Sequence, residues 1–342
     1  MNPKVSILVP VYKASAFIEK CATSLFNQTF ADIEYVFVND ATPDDSIGKL
    51  QEIIERYPNR KNNTRIINHQ TNRGSAASKS SAIEAANGDY ISFVDSDDYI
   101  DAEMIEAMYN KALKENADVV VCNMIIEFEN NSVVFNDLIF DKPEDNFLNM
   151  ILHDKTSSSM CNKLIKSPLY KQPDCKIPEN LNYCEDWHIM TRIYYFSNKI
   201  VKTDRAFYHY IQYNSGSITK TINRMHFENI MLFWKLFDDF IKEQNIVGKY
   251  QQLIELPKLQ SKVRLLLGTN SIQLRKEFAN IFKTEELHCA KQLRRGEKLM
   301  LFLVRHKQFR LSQVLRFYLL AKNRNTRTTK KKLALVTHLA LY

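Results

Sequence analysis

The stretch that decides the fold is Asn87-Gly88-Asp89-Tyr90-Ile91-Ser92-Phe93-Val94-Asp95-Ser96-Asp97-Asp98. Its middle part, Tyr90–Val94, is a short apolar run that predicts a buried strand, and three carboxylates lie within the four residues that follow. Like charges at contact distance raise each other's pKa, so such a cluster calls for a compensating cation. A divalent metal shared with substrate phosphates is one interpretation. An acidic turn or helix N-cap is the alternative, because Asp favours both positions.

The sequence on either side of this strand, from Lys4 to about Asn123, alternates short β-branched runs with helix-patterned stretches. The predicted strands are Val5–Val9, Glu34–Val38, Arg65–Ile67, Tyr90–Val94 and Val119–Val121. The predicted helices are Ser15–Asn27, a helix starting at Thr42-Pro43-Asp44-Asp45, Ala76–Ala86 and Ala102–Glu115. Near-continuous apolar strands separated by helices predict an α/β fold, with a mostly parallel sheet covered by helices on both faces.

The 342 residues are enough for one large α/β domain and an appendage. We predict a first domain over residues 1–220, divided into halves 1–125 and 126–220. From residue 128 to about 221 the periodicity weakens. After Asn223 the pattern is helical almost to the end, so we predict a helical basic C-terminal region over residues 221–342.

The net charge of +8 is unevenly distributed, because residues 291–342 hold 14 Lys and Arg against Glu297 alone. Six cysteines are scattered without a Cys-x-x-Cys pair, which argues against a zinc site or a disulfide framework and favours a reducing compartment. The N-terminal residues lack a signal-peptide pattern, and no apolar run reaches the roughly 18 to 20 residues of a membrane-spanning helix. We therefore expect a cytoplasmic protein.

Polar residues at the carboxyl ends of the predicted strands are the first site candidates, because ligands of open parallel sheets bind there. The first strand runs into Pro10-Val11-Tyr12 and the second into Asn39-Asp40. Asp40 is suited to accept the imino hydrogen of a pyrimidine base, and Tyr12 offers a flat face for that base. Taken singly, each of these residues is also typical of a turn.

Further candidates lie outside the strand ends. In Glu185-Asp186-Trp187 a carboxylate is placed to serve as a general base, with a surface ion pair as the alternative. His188 and His209 are also candidate bases, although lone histidines are commonly structural and neither has metal-ligand spacing. Lys79 and Arg73 are candidates for neutralising a diphosphate, and a solvated helix face is the competing explanation.

Taken in order, these motifs resemble the family 2 glycosyltransferases over about residues 4 to 220. Six segments carry the resemblance: Val5–Tyr12, Asn39-Asp40, Asn72–Ser80, Asn87–Asp98, Cys161-Asn162-Lys163-Leu164 and Glu185-Asp186-Trp187. The resemblance implies a GT-A fold, in which residues 1–125 bind a nucleotide sugar and residues 126–220 face the acceptor. It also implies transfer with inversion from a nucleotide-diphosphate sugar to a hydroxyl of a glycan or lipid-linked glycan, as in cell-surface polysaccharide synthesis. The expected donor is a UDP-sugar.

The resemblance also assigns roles to single residues. Pro10, Val11, Tyr12 and Asp40 would hold the donor base, and Gly74 and Lys79 would lie beside its diphosphate. Asp95 and Ser96 would contact the donor, Asp95 and Asp97 would hold Mn²⁺ or Mg²⁺, and Asp186 would be the catalytic base. The metal would act as a Lewis acid on the diphosphate, while Asp186 takes the proton of the acceptor hydroxyl.

Three segments depart from the family pattern. Lys79-Ser80 stands where Arg-Asn is usual and Ala82 where a glycine is usual, so contacts to the diphosphate are expected to differ. Met160-Cys161 stands where an aromatic residue is common. Ser215–Thr219 resembles a loop near the active site, but with altered spacing after Tyr210.

The basic C-terminal region suggests a membrane surface. Residues 294–340 interleave basic side chains with apolar ones, and a basic amphipathic helix can lie in the headgroup plane of an anionic membrane. We therefore predict peripheral attachment at the inner face of the cytoplasmic membrane. A helical bundle or a homodimer contact is the alternative. Nucleic-acid binding is not expected, because no recognised fold for it is present.

Two other functions compete with a transferase. A phosphatase of the haloacid dehalogenase type also places Asp-x-Asp after a strand, but it needs Thr or Val where Tyr99 stands. A catalytically silent module that binds a nucleotide sugar or glycan is the second, and the presence of both Asp97 and Asp186 argues against it.

Overall fold

The structure, a computed structural model, describes residues 3–152, 156–214 and 222–325, the last five of them by their backbone alone. The strands are β1 Val5–Val11, β2 Ile33–Asn39, β3 Thr64–Asn68, β4 Tyr90–Phe93, β5 Tyr99–Ile100, β6 Val119–Phe128, β7 Asn131–Phe135, β8 Lys163–Lys166 and β9 Ile200–Ile211. The helices are α1 Ile18–Phe26, α2 Ser46–Arg56, α3 Pro58–Lys61, α4 Ser75–Ala85, α5 Met104–Glu115, α6 Pro143–Leu152, α7 Ser167–Tyr170, α8 Glu185–Phe196, α9 Arg224–Glu243, α10 Val247–Tyr250, α11 Glu255–Gly268, α12 Ile272–Phe278, α13 Lys283–Cys289, α14 Arg295–Arg305 and α15 Phe309–Asn325.

The strands form one sheet in the order β3-β2-β1-β4-β8-β6-β9-β5, with β7 paired to β6. The first four strands are parallel to one another. Beyond β4 the sheet is mixed: β8 runs antiparallel to both β4 and β6, β6 is parallel to β9, and β5 is antiparallel to β9. The predicted α/β fold with flanking helices and a helical C-terminal region is confirmed, and the parallel character belongs to its first half.

The first half of the sheet is buried because its strands are apolar on both faces. In β1 every residue except Pro10 is fully buried, and α4 packs against β1 and β2. Helix α1 packs against α2 and β5. These contacts explain why the strands read as continuous apolar runs rather than as alternating patterns.

The prediction that a helix starts at Thr42 was wrong by about four residues, since α2 begins at Ser46. The Asp44 carboxylate instead closes a turn, in which it accepts hydrogen bonds from the Thr42 hydroxyl at 2.7 Å and from the Ser15 amide at 3.0 Å. Asp and Thr side chains compete with the helix for backbone donors, which favours such turns before a helix.

The described residues divide into two compact units, one within 1–150 and 155–216 and the other within 151–154 and 217–342. The predicted domain boundary at 220/221 falls in residues 215–221, outside the described part of the chain. The proposed division at residue 125 falls inside β6, so both predicted halves contribute to one sheet.

The second unit has its own core. Helix α9 begins after Asn223, whose side-chain oxygen accepts the amide hydrogen of His226 at 3.4 Å. Phe233, Trp234 and Phe237 on α9 are buried, and the Trp234 indole donates to the Ser261 hydroxyl at 3.1 Å. This matches the predicted apolar face of the helix.

Among the described residues, none of the helices combines the length and hydropathy that crossing a membrane would need. The basic region predicted over 294–340 is described as far as α15, and Lys330-Lys331-Lys332 lies outside the described residues. Ser215–Thr219 also lies outside them.

Candidate active site

The three aspartates that follow β4 have different surroundings. Asp98 is 1% exposed, and its carboxylate accepts the Tyr208 hydroxyl and the Ile211 amide, each at 2.7 Å. Asp98 therefore fastens β9 to the end of β4, as in the structural interpretation of an acidic turn. Asp95 and Asp97 remain partly exposed and are available to a ligand.

Asp95 and Asp97 have the environment that a cation would relieve. Burial raises the pKa of both carboxyl groups; for Asp95 the Lys79 ammonium partly offsets this, and the charge of Asp97 adds to it. Asp97 accepts a hydrogen bond from the Asn214 amide at 2.8 Å, and Asp95 accepts one from the Cys161 thiol at 3.2 Å.

This donor set fits Mg²⁺ or Mn²⁺ held jointly with phosphates. Both cations take oxygen ligands and commonly bind through one or two carboxylates plus substrate phosphate oxygens. In the part of the chain that the structure describes, no group of three or more His, Cys, Asp or Glu side chains is placed to hold a metal ion. A metal at Asp95 and Asp97 would therefore need ligands from the substrate.

Lys79 joins α4 to the start of α8. Its ammonium is buried and forms ion pairs with Glu185, at 2.8 Å, and with Asp186. Glu185 also accepts the Ser75 hydroxyl at 2.6 Å. The structure thus places Lys79 in contact with the predicted catalytic base and also within electrostatic range of Asp95. The ion pair that the sequence allowed at Glu185-Asp186 is buried, not on the surface.

Asp186 is the less enclosed partner of Lys79, with a quarter of its side chain exposed. Its second oxygen lies 3.4 Å from the Met160 amide. The pKa of this carboxyl is raised to about 6: burial is the main cause, Lys79 partly offsets it, and the charges of Glu185 and Asp95 add to it. The charge of Asp95 thus acts on Asp186, so one of the two candidate metal ligands lies within electrostatic range of the predicted base.

The loop before α4 is built on Asp40. This carboxylate is almost fully buried and accepts the backbone amides of Arg73 and Gly74, each at 2.8 Å. It also bonds the His69 ring at 2.8 Å, and the other ring nitrogen lies 2.9 Å from the Ser81 hydroxyl. Asp40 therefore shapes the loop, and its oxygens are engaged by protein donors.

Gly74 has a conformation that other residues avoid. Its φ of 89° with ψ of 174° lies in a region used almost only by glycine. A Cβ there would collide with the Asn182 side chain, whose oxygen accepts the amide hydrogen of Ala76 at 3.0 Å. The glycine therefore allows residues 179–182 to close over the start of α4.

The residues that end β1 differ in what they expose. The side chain of Val11 is fully buried, so only its backbone is available to a ligand, while Pro10 is partly buried. Tyr12 is 42% exposed, and the Lys13 ammonium lies over its ring, 5.3 Å from the centroid. Ser96 is 8% exposed, between the two candidate metal ligands.

The other candidate residues have structural surroundings. His188 is buried, its ring contacts the Lys176 carbonyl at 3.1 Å, and burial lowers its pKa to about 3. His209 stacks on Tyr99 and pairs with Glu127 at 2.7 Å and with Asp101 at 3.1 Å. The exposed guanidinium of Arg73 pairs with Glu179 at 2.6 Å.

Sequence reasoning missed His69, Ser81, Tyr208 and Asn214 as parts of the site. His69 directly follows β3, so the rule that strand ends carry functional residues would have found it. No local signal exists for Tyr208 and Asn214, because they reach the aspartates through pairing across more than 100 residues.

Comparisons with known proteins show the family of this chain. The family model described as Glycosyl transferase family 2 matches residues 6–170. The putative glycosyltransferase EpsH of Bacillus subtilis (strain 168) is 30% identical over 260 residues, which cover 74% of this chain and 74% of EpsH. The chain belongs to glycosyl transferase family 2. It is accordingly a transferase, and the phosphatase alternative is not supported.

Two further proteins are similar to this family 2 member. The poly(ribitol-phosphate) beta-glucosyltransferase of Bacillus spizizenii (strain ATCC 23059 / NRRL B-14472 / W23) is 29% identical over 213 residues, 61% of this chain but 32% of that protein. The crystal structure of S. aureus TarS 1-349 in complex with UDP-GlcNAc has a TM-score of 0.61 at 21% identity, over 92% of this chain and 90% of that one. At that identity the likeness shows the fold.

Proposed function

We propose that this glycosyltransferase moves a sugar, with inversion, from a UDP-sugar to a hydroxyl of a glycan or lipid-linked glycan. The observation that carries the proposal is the arrangement of two partly exposed carboxylates, Asp95 and Asp97, of which Asp95 lies within electrostatic range of a third, Asp186. The pair suits a metal-bound diphosphate, and the third suits a general base.

On the donor side, the exposed ring of Tyr12 at the end of β1 offers a stacking face for the base. Backbone groups of Pro10 and Val11 and the loop held by Asp40 would border the nucleotide. Asp95 and Asp97 would hold Mn²⁺ or Mg²⁺, and the metal would supply Lewis-acid stabilisation of the departing nucleotide. Asp40 itself would act through the loop, since its oxygens already accept protein donors.

On the acceptor side, Asp186 would remove the hydroxyl proton as the new bond forms. Its raised pKa makes it a stronger base than an ordinary aspartate, and a quarter of its side chain remains accessible. Lys79 would hold the carboxylate in place through the ion pair. Fixing donor and acceptor in line would supply much of the rate.

The acceptor and the location are proposed on separate grounds. A relative named as a poly(ribitol-phosphate) glucosyltransferase supports an acceptor within a cell-surface polymer. Exposed apolar side chains on α14 and α15, among them Phe302 and Phe317, support attachment to the inner face of the cytoplasmic membrane. The same side chains would also suit a homodimer contact, which remains the alternative for this surface.

Two variants test the catalytic assignment. Asp186→Asn should retain donor binding and lose transfer by about 10² to 10⁴-fold, the usual contribution of a general base. Asp97→Ala should weaken donor binding itself in the presence of Mn²⁺. Asp32→Ala, which removes an exposed aspartate elsewhere in the same unit, is the matched control and should do neither.

Calorimetric binding of a panel of nucleotide sugars, together with Mn²⁺-dependent donor hydrolysis, gives the readout. Tight donor binding by Asp97→Ala would contradict the metal assignment. Donor binding without hydrolysis or transfer in the unmodified protein, with any acceptor glycan or divalent ion, would favour the silent binding module instead.

A further inference from the structure

The helical unit contains a cavity of about 620 Å³ that the transferase reaction does not use. It is formed by the end of α12 and the turn after it, by α13, by the end of α14 and the turn after it, and by the first residue of α15. Its lining includes four cationic side chains, all exposed: Lys276, Lys283, Arg305 and Lys307. This concentration of positive charge in one concave surface needs a physical explanation.

Within the described residues, these four cations form no ion pair. Glu286 is the acidic residue of the lining, and its carboxylate already pairs with the buried Lys262 at 2.7 Å. Among the ion pairs of the described residues, none involves the four cations of the cavity. The four exposed cations therefore line the cavity without an acidic partner among the described ion pairs.

Helix ends account for only part of the arrangement. Lys276 and Arg305 lie in the last turns of α12 and α14, where cations are favourable. Lys283 is the first residue of α13, where a positive charge opposes the helix dipole, and Lys307 lies in a turn with φ of 58°. The local backbone gives no reason for a cation at these two positions.

The less exposed part of the lining is apolar apart from Glu286. Val304 is 2% exposed, and Ala279 and Phe309 are partly buried beside it. At the mouth, Leu287 is 66% exposed. A ligand that satisfies the whole cavity thus needs an anionic group for the rim and an apolar group for the interior.

We propose that this cavity binds the phosphate headgroup of an anionic lipid, with its ester and hydrocarbon part against Val304, Phe309 and Leu287. Ammonium and guanidinium groups make charge-assisted bonds to phosphate oxygens, and each basic residue near an anionic leaflet adds to attraction. A free phosphate anion shares the headgroup chemistry but leaves the apolar lining without a partner.

The test uses the full chain and vesicles of phosphatidylcholine with or without phosphatidylglycerol, separated by sedimentation. The double variant Lys276→Gln/Lys283→Gln should bind the phosphatidylglycerol vesicles at least about tenfold more weakly than the unmodified chain. The control Lys235→Gln/Lys249→Gln removes two exposed lysines of the same unit outside the cavity and should lose clearly less. Equal losses in both doubles would overturn the site and indicate a diffuse charge effect.

The source of the phosphate is tested with soluble ligands. A short-chain phosphatidylglycerol below its micelle concentration should raise the melting temperature of the chain, and Leu287→Gln should reduce this shift. Inorganic phosphate at the same concentration should give a smaller shift, whereas an equal one would overturn the apolar part of the proposal. These readouts involve no sugar transfer, so their failure leaves the transferase assignment untouched.

Discussion

Asp186 must be unprotonated to accept a proton, yet basic enough to hold it. Burial raises its pKa to about 6, so the charged form dominates at neutral pH and is lost as the pH falls through that value. We therefore predict that kcat of transfer declines by about tenfold per pH unit below about pH 6. Initial rates at saturating donor and acceptor, across pH 5 to pH 8, measure this limb. A flat profile over that range would contradict a base role for Asp186.

Lys79 lowers the pKa of this proposed base. An opposite charge in contact lowers a carboxyl pKa by about 1 to 3 units, so Lys79→Met should move the acid limb of the rate profile upward by at least about one unit. Lys79→Arg keeps the charge and should leave the limb near its original position. Donor affinity, measured on the same proteins, separates the two roles of Lys79. If Lys79→Met weakened donor binding without moving the limb, the lysine would serve the diphosphate and not the base.

At the scale of single elements, the loop before α4 depends on one glycine. Gly74→Ala places a Cβ in a conformation that costs about 1 to 3 kcal/mol and against the Asn182 side chain. The loop should move away from the hydrogen bonds that Asp40 makes, and donor affinity should fall by about tenfold, as 1.4 kcal/mol corresponds to a factor of ten.

Gly248→Ala is the matched control for that loop variant, because no atom lies within 4 Å of the added Cβ and the residue belongs to helix α10. Its donor affinity should equal that of the unmodified protein. A Gly74→Ala protein with unchanged donor affinity would mean that the loop does not shape the nucleotide site.

The Cys161-Asn162-Lys163-Leu164 motif acts as a buried network at the start of β8. The Lys163 ammonium is fully buried and donates to the carbonyl oxygens of Ser157 and Ser159, at 3.0 and 2.7 Å, while Asp137 lies 3.7 Å away. Burial lowers the pKa of Lys163, and Asp137 counteracts this. The network holds the turn that carries the Met160 amide, which lies next to Asp186.

Removing that ammonium leaves the buried Asp137 carboxylate without its ion-pair partner, with only the hydrogen bonds from the Ser157 amide and the Asn162 side chain. Lys163→Met should lower the free energy of unfolding by about 3 to 5 kcal/mol. Lys166→Met, on the same strand, breaks a pair that is partly exposed and should cost about 1 kcal/mol or less. Urea unfolding of both variants measures the contrast. Similar losses of unfolding free energy in the two variants would show that the buried pair contributes no more to stability than the partly exposed one.

The elements that sequence predicted well are those with a local pattern. Strands β1 to β4 and helices α4 and α5 lie within two or three residues of their predicted ranges, because apolar periodicity and burial determine them locally. The antiparallel strand β8 and the two-residue strand β5 have no such pattern, since their pairing partners are distant in sequence.

The site shows the same division. Asp95, Asp97 and Asp186 were predicted from motifs, and the structure brings Asp95 within electrostatic range of both Asp97 and Asp186. The separate task of Asp98 depends on Tyr208, which is 110 residues away, so the sequence could not distinguish it from its neighbours. Likewise, the ion pair of Lys79 with Asp186 joins a residue predicted for the donor diphosphate to one predicted for the acceptor hydroxyl.

At the scale of the whole chain, each of the two units has a core of its own, which is the property expected of domains that unfold separately. The core of the second unit includes a buried guanidinium, Arg275. It donates to the Ser312 hydroxyl and to the Thr269 carbonyl, each at 3.1 Å, and so ties α12 to the end of α11 and to α15. Burial lowers the pKa of Arg275 to about 10.

This separation predicts two transitions in scanning calorimetry, each sensitive to one unit. Lys163→Met should lower the temperature of one transition and Arg275→Ala that of the other, because each removes a buried hydrogen-bonded group from a different core. A loss of 1 kcal/mol in the free energy of unfolding shifts the melting temperature of a 100 to 250-residue domain by about 2 to 8 °C. A UDP-sugar with Mn²⁺ should raise only the transition that Lys163→Met lowers, since a ligand stabilises the unit that binds it. If both variants lowered one common transition, the units would unfold together, and the domain boundary predicted near residue 220 would not separate independent folding units.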